Sequence, residues 1–206
     1  MEPLRDPSVL EFKLLPESVA LSLMRAATML TGWEFIHSNI VRAVKDFFMV
    51  GFDKEEYHYD DGYERDVLSK VGNGSTIFDA STAWLVEMEA LTQDDVSLLR
   101  EIRAHRNDIA HEMAKYLVDP GQDVSVDLLL RARGIIQRLG QFWGQIDVDT
   151  NPRFDDQDVA PEDIHSGQLL LFDYVLSLVT VPSGADQEDG QESPGWRDVL
   201  KSGNSG

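Results

Sequence analysis

TQDDVSLLREIRAHRNDIAHEMAKYLVDPG, residues 92–121, carries the spacing on which the fold turns. Thr92 with Asp95 three residues on forms a near capping box, which opens a helix by satisfying its first free N–H groups. Leu99, Ile102, Ile109, Met113 and Leu117 then recur along one helical face. Asp119-Pro120-Gly121 ends the helix in a turn. One position on the apolar stripe breaks the rule. Arg106 stands four after Ile102 and three before Ile109, where an unpaired charge is costly, so it needs either a carboxylate partner or a task.

Outward from this helix the chain repeats the same pattern. Pro16-Glu17-Ser18 suits a helix start, and apolar residues from Val19 to Phe48 follow at helical spacing, as one long helix kinked at Gly32 or as two stacked helices. His37, within this stretch, reads as a structural or surface histidine. From Asp53 to Asp66 acidic and aromatic residues break the pattern, which is the chemistry of a solvated loop, and the carboxylates near His58 lack the register of a metal loop. A short helix fits Tyr63 to Lys70. Lys70-Val71-Gly72-Asn73-Gly74-Ser75 lacks the Gly-Lys-Ser/Thr of a phosphate cradle and reads as a turn. Thr76 to Leu91 and Val124 to Ile146 are further helices. Residues 147–166 make an acidic linker with Pro152 and Pro161, and 167–181 an apolar last helix, buried in the bundle or at a subunit interface. Residues 1–15 are an N-terminal extension and 182–206 an acidic mobile tail whose apolar nub is Trp196 to Leu200. The expected fold is all-α, a bundle of four to six helices over residues 16–181 with no hairpin.

Composition narrows the function. With 18 basic and 37 acidic residues among 206, the formal charge is −19, which opposes general attraction to nucleic acid or to anionic membranes, so any RNA site must be local. The absence of cysteine excludes disulfides, thiolate metal sites and a cysteine nucleophile. The N-terminus lacks a secretory pattern and no apolar run is long enough to span a bilayer, so the expected location is cytoplasmic, away from membranes. The most basic segment of the chain surrounds Arg106: Arg100, Arg103, His105 and Lys115 are candidate phosphate contacts, although ion pairs with Glu101, Asp108 and Glu112 account for such a ridge equally well.

Arg106 and His111 together have the chemistry of metal-free RNA cleavage. Arginine clamps a phosphate with a fork of N–H donors, and histidine titrates near neutral pH and moves the proton of a 2′-hydroxyl. Five positions on an ideal helix amount to about 500°, which leaves the two side chains about 140° apart. Either the helix starts or distorts near His105-Arg106-Asn107, or the site is composite, drawn from two copies of the chain across a two-fold interface.

Arg106-Asn107-Asp108-Ile109-Ala110-His111 is similar to the R-x(4–6)-H signature of the HEPN superfamily, in which asparagine directly after the arginine is a common variant. The resemblance implies an all-α bundle that dimerises through the motif helix, with the paired motifs forming one cleft. It implies a metal-independent endoribonuclease with no cofactor, acting as a toxin or phage-defence effector and leaving a 2′,3′-cyclic phosphate. His111 would be general base or acid, Arg106 would hold the scissile phosphate, and Asn107 would orient one of them. An antitoxin or other regulatory protein is an implied partner. In family members silenced by adenylylation a tyrosine lies two after the histidine; here that residue is Met113, and Tyr116 is off register.

Two other classes compete. A catalytically inactive HEPN-like dimerisation or adaptor module, binding a protein partner, would suit the −19 charge. A metal-dependent hydrolase built on the acidic clusters is disfavoured, because His111-Glu112 is not followed by the second histidine of an H-E-x-x-H helix.

Overall fold

The computed structural model describes residues 7–180, apart from 55, 73 and 155–158. The fold is all-α, with seven α-helices and one two-stranded hairpin among the described residues. The expected tail from 182 onward, with its Trp196 to Leu200 nub, lies outside the described residues.

Helix α1 (Pro7–Lys13) occupies part of the expected N-terminal extension. Its last residue ties it to the body: the Lys13 ammonium is buried, donates to the Gln122 carbonyl at 2.9 Å and pairs with Asp123. Proline at the first position of α2 (Pro16–His37) forfeits no helical hydrogen bond. Ala26, Met29, Trp33 and Ile36 form its buried face, and the stripe continues through Ile40 and Val44. The helix is not broken at Gly32. That glycine instead lets Phe172 pack against the backbone, since a Cβ there would lie 2.7 Å from the ring. The irregularity comes later, as a wide π-turn at Ser38–Arg42, after which α3 (Ala43–Phe47) resumes. Side chains serve the carbonyls of this turn: Asn39 Nδ2 donates to Phe35 O at 2.8 Å and Trp143 Nε1 to Asn39 O at 3.0 Å.

A hairpin stands where a loop was expected. Strand β1 (Met49–Asp53) pairs antiparallel with β2 (Glu56–Tyr59), and the register slips between Met49 and Gly51. Its residues are exposed or half-buried, so they had no need to alternate apolar with polar, and alternation is the signal by which a sequence shows a strand. What holds it is the ladder itself and a cross-strand ring pair, Phe52 with Tyr57 at 5.0 Å. The expected helix near Tyr63 to Lys70 is a π-turn at Tyr63–Val67 followed by a 3-10 turn at Leu68–Lys70.

Both of the next helices start with complete capping boxes: Thr76 with Asp79 for α4 (Ile77–Glu87), Thr92 with Asp95 for α5 (Gln93–Val118). The N-cap of α6 (Val126–Thr150) is Ser125, whose hydroxyl accepts from Leu128 N–H. Helix α6 runs four residues into the expected linker, which then continues through 3-10 turns at Pro152–Phe154 and Pro161–Asp163. The last helix, α7 (Gly167–Thr180), buries Leu169, Phe172, Leu176 and Val179 and leaves Leu170, Leu171, Tyr174 and Leu178 about half exposed. Asp173, the charge in this apolar segment, takes a bidentate bond from Arg133 at 2.5 and 2.8 Å, joining α7 to α6. Helix α2 is the hub, packed against α5, α6 and α7. No helix among the described residues is long and apolar enough to cross a membrane.

Candidate functional site

Ile102 and Ile109 are fully buried and hold α5 against the core, which fixes the direction of Arg106 between them. Its side chain, 30 % exposed, runs out of the apolar seam toward α2. Two acceptors meet the guanidinium, both at long range: Asn107 Oδ1 takes Nη1–H at 3.2 Å, and Glu34 Oε1 takes Nη2–H at 3.4 Å. Charge-assisted bonds of this kind normally close to about 2.7–2.9 Å. The Nε–H is removed from solvent and has no acceptor.

Within one chain Arg106 and His111 leave α5 in directions about 140° apart, as five positions of regular helix require. Residues 105–111 keep helical geometry, so the distortion considered near His105-Arg106-Asn107 does not occur, and the break falls after the motif, at Glu112 (φ −124°, ψ 28°). Across that break Tyr116 donates its hydroxyl to Asp108 Oδ2 at 2.5 Å, and burial, reinforced by this bond, pushes the phenol pKa upward. The His111 side chain is exposed.

The other candidate phosphate contacts separate into two groups. Arg103 lines the same cleft as Arg106, and Arg100 joins Arg103 in a neighbouring cleft of about 340 Å³ between α4 and α5. The remaining two are engaged elsewhere. His105 Nε2 accepts the Ser125 N–H at 3.1 Å, its ring packs edge-on to Tyr116, and burial lowers its pKa. Lys115 pairs with Glu112 at 3.0 Å.

The cleft at Arg106 has a volume of about 580 Å³, and its far wall was not foreseen from the sequence. Trp33 and His37, one turn apart on α2, and Phe78, in the first turn of α4, form it. His37 lies nearly parallel to Phe78, 13° between planes and 5.7 Å between centroids, and Trp33 is tilted 5.2 Å from Phe78. The guanidinium of Arg103 sits 5.9 Å over the Phe78 ring, within reach of a cation–π contact. The four-residue step from Trp33 to His37 was a visible sign that they share a face. Nothing local to Phe78 showed that it would join them.

Around the hairpin, His58 stands 4.0 Å from Asp53, and no group of three or more His, Asp or Glu among the described residues is placed to share a metal ion. The fold and site define an all-α bundle with an arginine-lined, aromatic-walled cleft on its longest helix. Comparison with protein-family models, curated proteins and solved structures found no match.

Proposed function

We propose that this chain is a HEPN-type, metal-independent endoribonuclease acting as a toxin or phage-defence effector. The observation that carries the reading is Arg106: a guanidinium aimed from the buried seam into an open cleft, with the Nη bonds to carboxylate and amide both long. Such donors suit the oxygens of a phosphodiester, whose negative charge grows as a 2′-oxygen attacks phosphorus. In the reaction the 2′-hydroxyl loses its proton, the new P–O bond forms, and the bond to the 5′-oxygen breaks. The products are a 2′,3′-cyclic phosphate and a 5′-hydroxyl. His111 takes the first proton or delivers the last. Since α5 is unbroken through the motif, the histidine facing a given Arg106 comes from a second copy of the chain, and the active form is a homodimer.

The test is cleavage of single-stranded RNA in EDTA by the wild type, Arg106→Ala and His111→Ala, with the product ends identified. Cyclic-phosphate ends from the wild type, and a loss of at least roughly a hundredfold in each variant, are expected. Equal rates in all three overturn the assignment. Induced expression in a bacterium should slow growth for the wild type and not for either variant.

One observation favours an inactive adaptor module instead: Glu34 reaches Arg106 from α2 and places a carboxylate where a phosphate would have to enter. A stable dimer without cleavage products, in the wild type and in Glu34→Gln alike, is the outcome that selects this reading.

A further inference from the structure

We infer that the cleft beside Arg106 is a nucleotide subsite, in which a nucleobase lies against the His37, Phe78 and Trp33 wall while its phosphate is held by Arg103 and Arg106. RNA as the natural occupant rests on the ribonuclease reading; the subsite itself rests on the geometry of a single chain.

Three features converge. The volume, about 580 Å³, falls in the range of small-molecule sites and is ample for one nucleoside monophosphate. The lining is divided by chemistry: aromatic rings come from α2 and the start of α4, cations from α5, and its one carboxylate, Glu34 of α2, is the loose partner of Arg106 at 3.4 Å that a phosphate would displace. A nucleotide is divided the same way, an apolar π-face at one end and a dianion at the other. The wall is also built in advance, because Trp33 is buried in the core and Phe78 is held by His37 and Arg103. His37, exposed on this wall, is the ring that a base meets first. Such contact is tolerant of sequence, since every base has a π-face, and a ring already held rigid loses little freedom on binding.

Charge explains why the subsite works in so acidic a chain. With a formal net charge of −19 the molecule repels phosphates at long range. At this cleft two cations, Arg103 and Arg106, stand against one carboxylate, Glu34. Arg103 has a second function here, because a cation stacked over Phe78 links the phosphate end of the cleft to its aromatic end.

The experiment is calorimetric titration of the full chain in EDTA with AMP, adenosine and inorganic phosphate, and with a short 2′-O-methyl oligoribonucleotide that resists cleavage. AMP should bind more tightly than adenosine or phosphate alone. Phe78→Ala and His37→Ala should each weaken AMP by roughly five- to fiftyfold, and His37→Ala, which leaves Arg103 on Phe78, should leave inorganic phosphate unchanged. Arg106→Ala should erase the advantage of AMP over adenosine. His37 is exposed, so its variant reports on the wall even if Phe78→Ala folds poorly, and circular dichroism verifies both. Tighter binding of the oligonucleotide than of AMP identifies an RNA segment as occupant; the reverse order identifies a free nucleotide. No binding of AMP or oligonucleotide at millimolar concentration, or AMP binding untouched by both wall variants, overturns the subsite. RNA cleavage that persists alongside such a result leaves the ribonuclease reading standing. Nucleotide binding with no Arg106- and His111-dependent cleavage does the opposite.

Discussion

At the residue scale the histidines divide by what their nitrogens meet. Nε2 of His105 accepts the Ser125 N–H, a bond only neutral imidazole can make, and burial holds its pKa below the ordinary value of about 6.5. The unfolded chain therefore takes up this proton at a higher pH than the folded one. Stability from this group is complete above about pH 6.5 and declines as pH falls through the lowered folded value. Thermal midpoints measured between pH 7.5 and 5.5 should fall more steeply for the wild type than for His105→Gln. Identical slopes would show that His105 does not titrate between folded and unfolded states. His111, five residues beyond Arg106, is exposed, and His37, on another helix, lines the cleft. The sequence supports seeing Arg106 as an anomaly, because an arginine on an apolar stripe breaks a local rule. It could not rank His37 above His105, because which face of α2 meets α5 depends on packing between segments some seventy residues apart.

At the scale of elements, helix starts were the most legible feature. The Thr92 and Asp95 pair is visible as two letters three apart, and it forms with Thr92 N–H and hydroxyl both bonded to Asp95 Oδ2 at 2.9 Å. Asp95 does more than the spacing implies: it is buried and also takes Arg138 from α6, which pins the start of α5 to its neighbour. Asp95→Ala removes both functions and should lower unfolding free energy by about 2 kcal/mol, read as a reduced urea midpoint at unchanged slope. Most of the loss is assigned to the cap, since the Arg138 side chain is 45 % exposed and its pair is screened. A variant within about 0.5 kcal/mol of the wild type would contradict the role given to the cap. Interruptions were less legible. Gly32 has the form of a helix breaker, yet its use is to admit Phe172 from α7. The real irregularity, at Ser38–Arg42, has its Asn39 carbonyl met by Trp143 of α6, a partner distant in sequence. The hairpin carries no period-two pattern because it has no buried face to require one.

At the scale of the whole molecule, the regular helix from Arg106 to His111 makes the proposed site depend on two chains. Mixing Arg106→Ala with His111→Ala, then allowing subunits to exchange, should restore about a quarter of wild-type RNase activity, because half the dimers are mixed and each mixed dimer has one intact site of two. Each variant alone should remain inactive. A mixture that stays inactive after exchange, verified with differently tagged subunits, would place both residues of a site on one chain. With a net charge of −19, the proposed RNA contact has to be local, confined to the arginines of α5 that line the clefts.

Capping pairs, helix-stopping turns and the apolar stripes of α2, α5, α6 and α7 are written in neighbouring residues, because hydrogen bonding at helix ends and the 3.6-residue period act over one or two turns. These were enough for an all-α bundle and for singling out Arg106. Packing across the bundle made the other choices. It placed Trp33, His37 and Phe78 opposite Arg103 and Arg106, engaged His105 with Ser125, and kept α5 straight through the motif. Each of these sets the burial and electrostatics of a side chain through partners distant in sequence, so no local pattern encodes it.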